Sequence, residues 1–160
     1  MRKIIAASLA CLLCSSAAFG TDAPGFTAGF SRDDAKNVVT DSVYKLMWQD
    51  GDEIFKGDYD KAIKYCENLT FAGFEDWRLP TLNELLSITD DSGYNPAINK
   101  AFKNIAYETN VKGEKIYDWY WSSTKYVSDS YFVWVVSFEN GGDGWGALYL
   151  RNFVRCVRDY

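Results

Sequence analysis

The stretch of sequence that decides the fold is DWRLPTLNE at residues 76–84. Its second half contains a Ser/Thr-x-x-Glu capping box, formed by Thr81 and Glu84. In such a box the threonine hydroxyl and the glutamate carboxylate each accept a hydrogen bond from a backbone N–H that the first helical turn leaves unpaired. Pro80 fixes the backbone just before this helix. We therefore predict a helix directly after Thr81, and we interpret Glu84 as a cap and not as a catalyst.

The first half of the same stretch is interpreted as structural. Trp77 is predicted to fill the core, and the planar guanidinium of Arg78 is expected to tie loops together through backbone carbonyls or a carboxylate. A binding role for these two residues is the alternative. The agreement between the helix cap, the proline and the apolar positions favours the structural interpretation.

Outward from this stretch, the sequence predicts an earlier helix and a later sheet. The earlier helix begins near residue 59 with Asp58 as its N-cap, and its buried face contains Ala62, Ile63, Cys66 and Leu69. A short helical turn is expected after Asn95-Pro96, with Ile98 and Phe102 pointing inward. The β-rich runs lie at residues 38–40, 44–48, 117–123, 131–138, 145–150 and 153–157. Because most of these strands follow the helices, the order indicates an α+β fold.

Composition limits the classes of function. The chain has 160 residues, enough for one compact core, and 17% of them are aromatic. It contains no histidine, which removes the usual nucleophilic triads and zinc sites. A formal net charge of −5 and scattered basic residues disfavour a nucleic-acid partner. We expect no enzymatic activity, no cofactor and no bound metal.

The first residues are typical of a secretory signal peptide. A basic start at residues 1–3 precedes an apolar run and small residues at positions 18 and 20, so cleavage is expected before Thr21. Cys11 and Cys14 lie inside the run and leave a lipoprotein as the alternative. We predict a signal peptide over 1–20, an N-terminal arm over 21–37 and one domain over 38–160. The run is too short to span a membrane, and the protein is expected in the periplasm, at the cell surface or outside the cell.

Two cysteines, Cys66 and Cys156, remain after that cleavage. In an oxidising compartment they are expected to form a disulfide that closes a loop of about ninety residues. A reactive thiol is the alternative. No histidine or basic cluster lies near either cysteine in sequence to activate it, which favours the disulfide.

Four motifs together resemble one known family. They are VYKLMWQ at 43–49, GFEDWRLPT at 73–81, YWSST at 120–124 and FVRCVR at 153–158. In this order they are similar to the DUF1566 family, also called the Lcl C-terminal domain, over about residues 38–159. The resemblance implies a C-type-lectin-like fold related to that of the formylglycine-generating enzyme. In such a fold two main helices pack on a twisted antiparallel sheet, and one disulfide ties the first helix to the last strand, where Cys66 and Cys156 lie.

The resemblance also implies a function. The family occurs in adhesins and surface-associated proteins, which implies recognition or adhesion with a glycan or a protein at the bacterial cell surface as the partner. The copper-holding cysteine pair of the formylglycine-generating enzyme is not matched here, because only Cys156 lies late in the chain. A sulfated glycosaminoglycan, the ligand implied for the adhesin, needs a basic patch. Its candidates are Lys112, Lys115, Lys125, Arg151, Arg155 and Arg158.

Ring side chains near the late loops are the candidate ligand-binding residues. Tyr126, Tyr131 and Trp145 form this set, while Tyr120 and Trp134 lie in the same part of the chain. Strand alternation places Trp119 and Trp121 on one face of their strand. We interpret Trp48, Trp77, Trp119 and Trp121 as residues that define the fold.

The loop at residues 140–144 adds Asn140 and Asp143 as tentative ligand-binding residues. It has too few oxygen ligands for a calcium site, and a plain glycine-rich hairpin is the favoured interpretation. Two other functions stay open. One is a structural or assembly module of an envelope or pilus-associated complex, which would form homo-oligomers or bind a protein partner. The other is a carboxylate-based hydrolase, with Glu108, Asp118, Glu139 and Asp143 as candidate acids.

Overall fold

The first sheet brings the two ends of the described chain together. The computed structural model describes residues 29–160; the predicted signal peptide and the first part of the arm, with Phe26, lie outside them. Strand β1 (Phe30–Asp33) pairs with β2 (Val38–Asp41), β2 with β3 (Leu46–Gln49), and β3 with β11 (Val157–Asp159), all antiparallel. The order β1-β2-β3-β11 therefore places the C-terminal strand beside the early hairpin.

The second sheet carries the late aromatic residues. Its strand order is β4 (Lys56–Gly57), β10 (Asn152–Phe153), β7 (Trp119–Lys125), β8 (Phe132–Ser137) and β9 (Asp143–Ala147). The β10 and β7 pair is parallel and the other pairs are antiparallel. Two short strands, β5 (Glu108–Thr109) and β6 (Lys115–Ile116), form a separate hairpin. Strand β9 lies at an edge of the five-stranded sheet.

Both predicted helices are present with the predicted caps. Helix α1 (Tyr59–Glu67) begins after Asp58, whose carboxylate accepts a hydrogen bond from the backbone N–H of Lys61. Helix α2 (Leu82–Ser87) begins after Thr81, and both hydrogen bonds of the Thr81–Glu84 capping box are formed. The local residue choice alone thus predicts where each helix begins.

Two hydrophobic cores cover opposite faces of the five-stranded sheet. Tyr120 and Val136 belong to one core, which includes Trp48 and the buried residues Leu85 and Ile88 at α2. Their strand neighbours point the other way, as alternation requires. The second core contains Trp121, Val135, the α1 residues Ala62 and Cys66, and the predicted core residue Trp77. Helices α1 and α2 therefore lie on opposite faces of one sheet.

The predicted disulfide is present. Cys66 on α1 and Cys156 just before β11 are bonded across a sequence separation of 90 residues. Both are fully buried. The bond joins the second core to the C-terminal segment.

A buried charged cluster links the two ends of the chain to its middle. The Asp50 carboxylate, at the end of the first hairpin, accepts hydrogen bonds from Arg155 at 2.6 Å and from the backbone N–H of Lys103 at 2.9 Å. Arg32 on β1 also pairs with Asp50. The other guanidinium nitrogen of Arg155 donates to the carbonyl of Asn104 at 2.6 Å. Several partners contact each buried charge, as such charges require, while Nε of Arg155 has no partner in the described part of the chain.

The structure confirms the α+β class and corrects several details. The strands form three sheets instead of one, and one strand pair is parallel. The run 153–157 is not one strand: β10 ends at Phe153 and β11 begins at Val157, because the residues between them turn into the interior. The segment after Pro96 is irregular and not a helical turn, although Ile98 and Phe102 are buried as predicted. Between residues 29 and 160, neither helix is long and apolar enough to cross a membrane.

Candidate functional site

Three rings form a cluster on the exposed edge of the five-stranded sheet. Tyr126 and Trp145 are stacked, with ring centroids 5.5 Å apart and an angle of 21° between their planes. Trp134 meets Tyr126 edge-on at 5.6 Å and Trp145 edge-on at 6.5 Å. Each ring therefore restricts the other two, and the indole of Trp145 is held in place although 58% of the residue is exposed.

The strand register produces this cluster. Trp134 on β8 lies directly opposite Trp145 on β9. Tyr126 follows β7, whose pairing with β8 is irregular between Trp121 and Lys125, and its backbone N–H donates to the carbonyl of Phe132. Cross-strand partners on one face are close enough for aromatic side chains to touch. The irregular pairing and the short loop bring the Tyr126 ring beside the rings of Trp134 and Trp145.

A cavity of about 290 Å³ opens beside the ring cluster. Its lining residues are Trp119, Val135, Gly144, Trp145, Gly146, Leu150 and Asn152. The two glycines provide the space: a Cβ added at Gly144 would lie 3.3 Å from the Trp119 ring, and one at Gly146 would lie 3.1 Å from the Trp121 ring. No lining residue carries a charge, so the cavity suits an uncharged ligand.

Asn152 is the polar group of this cavity. The residue is 6% exposed, and its carboxamide makes no hydrogen bond to a protein group within the part of the chain that the structure describes. Its Nδ2 atom lies 3.3 Å from the position of a Cβ built on Gly146. Neither amide atom is among the buried, unpaired side-chain atoms of the described chain, so the carboxamide faces the open space of the cavity.

The structure brings together only part of the predicted ligand-binding set. Tyr126 and Trp145 are in contact, and Tyr131 is 74% exposed just before β8, with its carbonyl bonded to the N–H of Leu148. Asn140 is at the opposite end of the β8–β9 hairpin, where its side chain accepts a hydrogen bond from the N–H of Gly142. Asp143 begins β9 opposite Val136.

Trp119 and Tyr120 change their interpretation, and two further residues are added to the site. Trp119 was expected to define the fold, but it is 37% exposed and lines the cavity. Tyr120, considered with the binding rings, is fully buried. The sequence analysis missed Asn152 and Gly144 as cavity residues. The alternation of glycine and tryptophan in residues 143–147 was the available signal, because glycine in a strand often marks the close approach of another group.

The structural motif at residues 76–84 behaves as predicted. The two terminal guanidinium nitrogens of Arg78 donate to the two carboxylate oxygens of Glu84, at 2.8 and 2.7 Å. One of them also donates to Asp159. Burial raises the pKa of Glu84, but hydrogen bonds from Arg78 and from the Thr81 backbone outweigh it, so the pKa lies below the usual glutamate value. This ion pair therefore ties the start of α2 to the C-terminal strand.

The candidate acids for hydrolysis lie in different environments. Lys56 contacts Glu108 at 2.5 Å and Asp118 at 3.4 Å, and its ammonium lies over the Phe153 ring. Glu139 accepts a hydrogen bond from the Tyr94 hydroxyl. That hydrogen bond raises the pKa of Tyr94. Glu108 and Asp118 thus share one lysine, whose single positive charge offsets one of their two negative charges.

The candidate basic residues do not form one patch. Arg155 is 3% exposed and belongs to the Asp50 cluster, so it cannot contact a polyanion. Arg158 pairs with Asp76, and Lys115 lies over the Tyr107 ring. Arg151 donates to the carbonyl of Lys56. Over residues 29–160, no group of three or more His, Cys, Asp or Glu is placed to hold a metal ion.

Comparison with known proteins identifies the family. A family model described as the Lcl C-terminal domain matches residues 37–158. This range covers the first sheet from the turn before β2, both helices and the five-stranded sheet. A search of curated proteins finds no match to the chain.

Proposed function

The chain belongs to the Lcl C-terminal domain family, and from this membership we propose that it is a non-catalytic recognition domain that binds glycans at the bacterial cell surface. The observation that carries the proposal is the fixed, exposed indole of Trp145. Tyr126 and Trp134 hold it, while more than half of the residue remains open to solvent. A ring held in this way loses little conformational entropy when a ligand binds.

The chemistry of the surface favours a sugar. A pyranose ring has an apolar C–H face that packs on an aromatic ring, and hydroxyl groups at its edge that need polar partners. Trp145 and Trp119 offer aromatic surface, and Asn152 offers an amide in the adjoining cavity. Aromatic surface with a few placed polar groups is the usual composition of a small-molecule site.

The charge of the protein favours a neutral glycan over a sulfated one. The cavity has no charged lining residue, and the chain has a formal net charge of −5. A polyanion would be repelled at long range and would find no group here to compensate its charge. We therefore do not extend glycosaminoglycan binding to this chain.

Export and a C-type-lectin-like fold are part of the same proposal. The signal-like N-terminus supports export, and a disulfide such as Cys66–Cys156 is stable in an oxidising compartment. The pairing of β11 with β3 and the bond between α1 and the C-terminal segment agree with a lectin-like arrangement.

An assembly module is the second candidate, and strand β9 supports it. This strand lies at the sheet edge and carries the exposed Trp145, and an edge strand can pair with another chain. Light scattering of the purified protein at increasing concentration tests this candidate. A change of mass that Trp145→Ala abolishes would favour assembly over glycan recognition.

A glycan array probed with the exported protein tests the proposal, once with calcium and once with a chelator. We expect binding to neutral glycans that is equal in both conditions. Binding only to sulfated glycans would contradict the charge argument, and an array without signal would reject glycan recognition. Hydrolysis of a bound glycan, with loss of that activity in Glu108→Gln or Asp118→Asn, would instead support the lower-ranked hydrolase.

A further inference from the structure

We propose that the cavity beside β9 is a subsite for the acetamido group of an N-acetylated amino sugar, with the Asn152 carboxamide as its hydrogen-bonding partner. This inference rests on the proposed glycan recognition and names the class of sugar. It depends on three observations: an amide without a protein partner, apolar walls around it, and a cavity without charge.

The amide is the first observation. Asn152 is more than nine-tenths buried, lines the cavity, and has no side-chain hydrogen bond to a protein group in the described chain. Its amide atoms are not among the buried side-chain atoms without a partner in the described chain, so they reach the open space of the cavity. Asn152 does not serve the fold through its side chain, because its strand pairing with Gly57 uses only backbone atoms. The amide is therefore available to a ligand.

The chemistry of a carboxamide matches that of an acetamido group. The Asn152 side chain has one carbonyl acceptor and an NH₂ donor, and an acetamido group has one N–H donor and one carbonyl acceptor. Because an acetamido group is a trans amide, its N–H and its carbonyl point in opposite directions, and only one of them bonds to the Asn152 carboxamide at a time. A hydroxyl at the same position of a sugar can also form one such bond, but it brings no methyl group.

The walls of the cavity suit the methyl end of the same group. Trp119, Val135 and Leu150 present apolar surface in the cavity that Asn152 lines. Gly144 has no side chain to fill the space next to the Trp119 ring. Burying one methyl group contributes about 0.8 kcal/mol. A sugar that carries only hydroxyl groups would leave this surface uncovered.

The size and position of the cavity limit the ligand to a single sugar residue at this point. Its volume of about 290 Å³ is at the small end of the range for ligand pockets. Strand alternation places Gly144, Gly146 and Val135 on one face of the sheet and the paired Trp134 and Trp145 on the other. Trp145 lines the cavity from the edge strand β9, so the cavity opens at this edge.

Two matched trisaccharides test the inference by titration calorimetry of the whole protein. Chitotriose and cellotriose share the β1,4 linkage and differ in having an acetamido group or a hydroxyl at each C2. We expect chitotriose to bind at least tenfold more tightly. Equal affinities would overturn the acetamido subsite and leave glycan recognition standing. Binding of neither trisaccharide overturns the subsite as well, and only an array without any signal rejects glycan recognition itself.

The variant Asn152→Leu isolates the amide. It keeps the approximate size of the side chain and removes both hydrogen-bonding groups. We expect affinity for chitotriose to fall to that for cellotriose, with the affinity for cellotriose unchanged. Because the amide has no protein partner, the melting temperature should stay equal or rise.

The stability of Asn152→Leu decides between a ligand group and a structural group. A clear fall in melting temperature would show that the amide serves the fold, and this would contradict the inference. If the variant does not fold, Asn152→Ala provides the same comparison with a smaller side chain. Tyr44→Ala, at an exposed position on the turn between β2 and β3, is the control and should leave both affinities unchanged.

Discussion

The guanidinium of Arg155 lies 2.6 Å from the carboxylate of Asp50, although 105 positions separate the two residues in the chain. Both side chains are almost completely buried, at 3% and 0% exposure. The pair therefore fixes the end of the first hairpin against the C-terminal segment. A buried ion pair is strongly destabilising when one partner is removed, because the other charge remains without compensation.

Asp50→Asn is expected to lower the free energy of unfolding by about 3–5 kcal/mol, the usual loss when a buried charge loses its partner. The substitution keeps the shape of the side chain, leaves Arg155 without a carboxylate and leaves Arg32 with only the exposed Asp34. Urea unfolding followed by tryptophan fluorescence measures the change. Asp34→Asn is the matched control, since the exposed Asp34 also contacts Arg32 and should have a much smaller effect. Equal losses in the two variants would contradict the assigned role of Asp50.

Removal of the disulfide is expected to cost about 4 kcal/mol, because a bond that closes a long loop restricts the unfolded chain. The double variant Cys66→Ala, Cys156→Ala should melt at the same lower temperature with and without reductant. The unchanged protein should melt at a lower temperature only when reductant is present. Alkylation of the unfolded, unreduced protein should modify neither cysteine. Modification of Cys66 or Cys156 in that sample would show that the bond does not form.

The Arg78–Glu84 pair should make stability depend on acid pH. The pKa of Glu84 is lower in the folded protein than its ordinary value of 4.5, so the folded state favours the ionised carboxylate. This contribution is complete above the ordinary pKa and is lost as the pH falls through the lower, folded pKa. Glu84→Gln should be less stable than the unchanged protein at pH 7 and should lose less stability on acidification.

Urea midpoints measured from pH 7 to pH 3 provide the test of this linkage. The difference between the two proteins should shrink as the pH falls below about 4.5, since protonation removes the charge that the variant already lacks. A constant difference over this range would mean that the charge of Glu84 makes no contribution. Glu75→Gln, at an exposed carboxylate in the same part of the chain, is the control for general effects of acid.

Trp145→Ala should separate binding from stability. Trp145 is 58% exposed, so its removal uncovers little core, and we expect the unfolding free energy to change by less than about 1 kcal/mol. Glycan affinity should fall at least tenfold, which corresponds to about 1.4 kcal/mol. The affinity of Tyr44→Ala, which removes another exposed ring, should not change. A Trp145 variant that unfolds as easily as Asp50→Asn would show that the ring is structural.

Local sequence signals predicted the helices well because the relevant interactions are local. The hydrogen bonds of Thr81 and Glu84 span three residues, and Asp58 caps α1 in the same way. The disulfide was also predictable, since cleavage of the predicted signal peptide would leave only two cysteines to pair. The capping partners lie three residues apart, and two cysteines allow only one pairing.

The exposure of Trp119 could not be predicted from alternation alone. Alternation correctly places Trp119 and Trp121 on one face, but β7 begins at Trp119, at the end of the covered surface. Whether that end is covered depends on the crossover at residues 148–151, which links β9 to β10 and comes from a distant part of the sequence. The cavity is the space that this crossover leaves open.

The Asp50–Arg155 pair leaves a signal in the sequence. Arg155 lies within the apolar run FVRCV at 153–157, and Asp50 directly follows a buried strand. A charged residue inside an apolar run predicts a buried partner of opposite charge. The identity of that partner still depends on tertiary contacts, because several acids follow strands in this chain.

The four residues at 154–157 make every one of their long-range contacts with parts of the chain that are synthesised earlier. Their partners are Phe55, Asp50 and Asn104, Cys66, and Arg78. A growing polypeptide that has not reached residue 154 has none of these connections. The domain can therefore close only after residues 154–157 have been synthesised, and a chain shortened before them would lack these contacts.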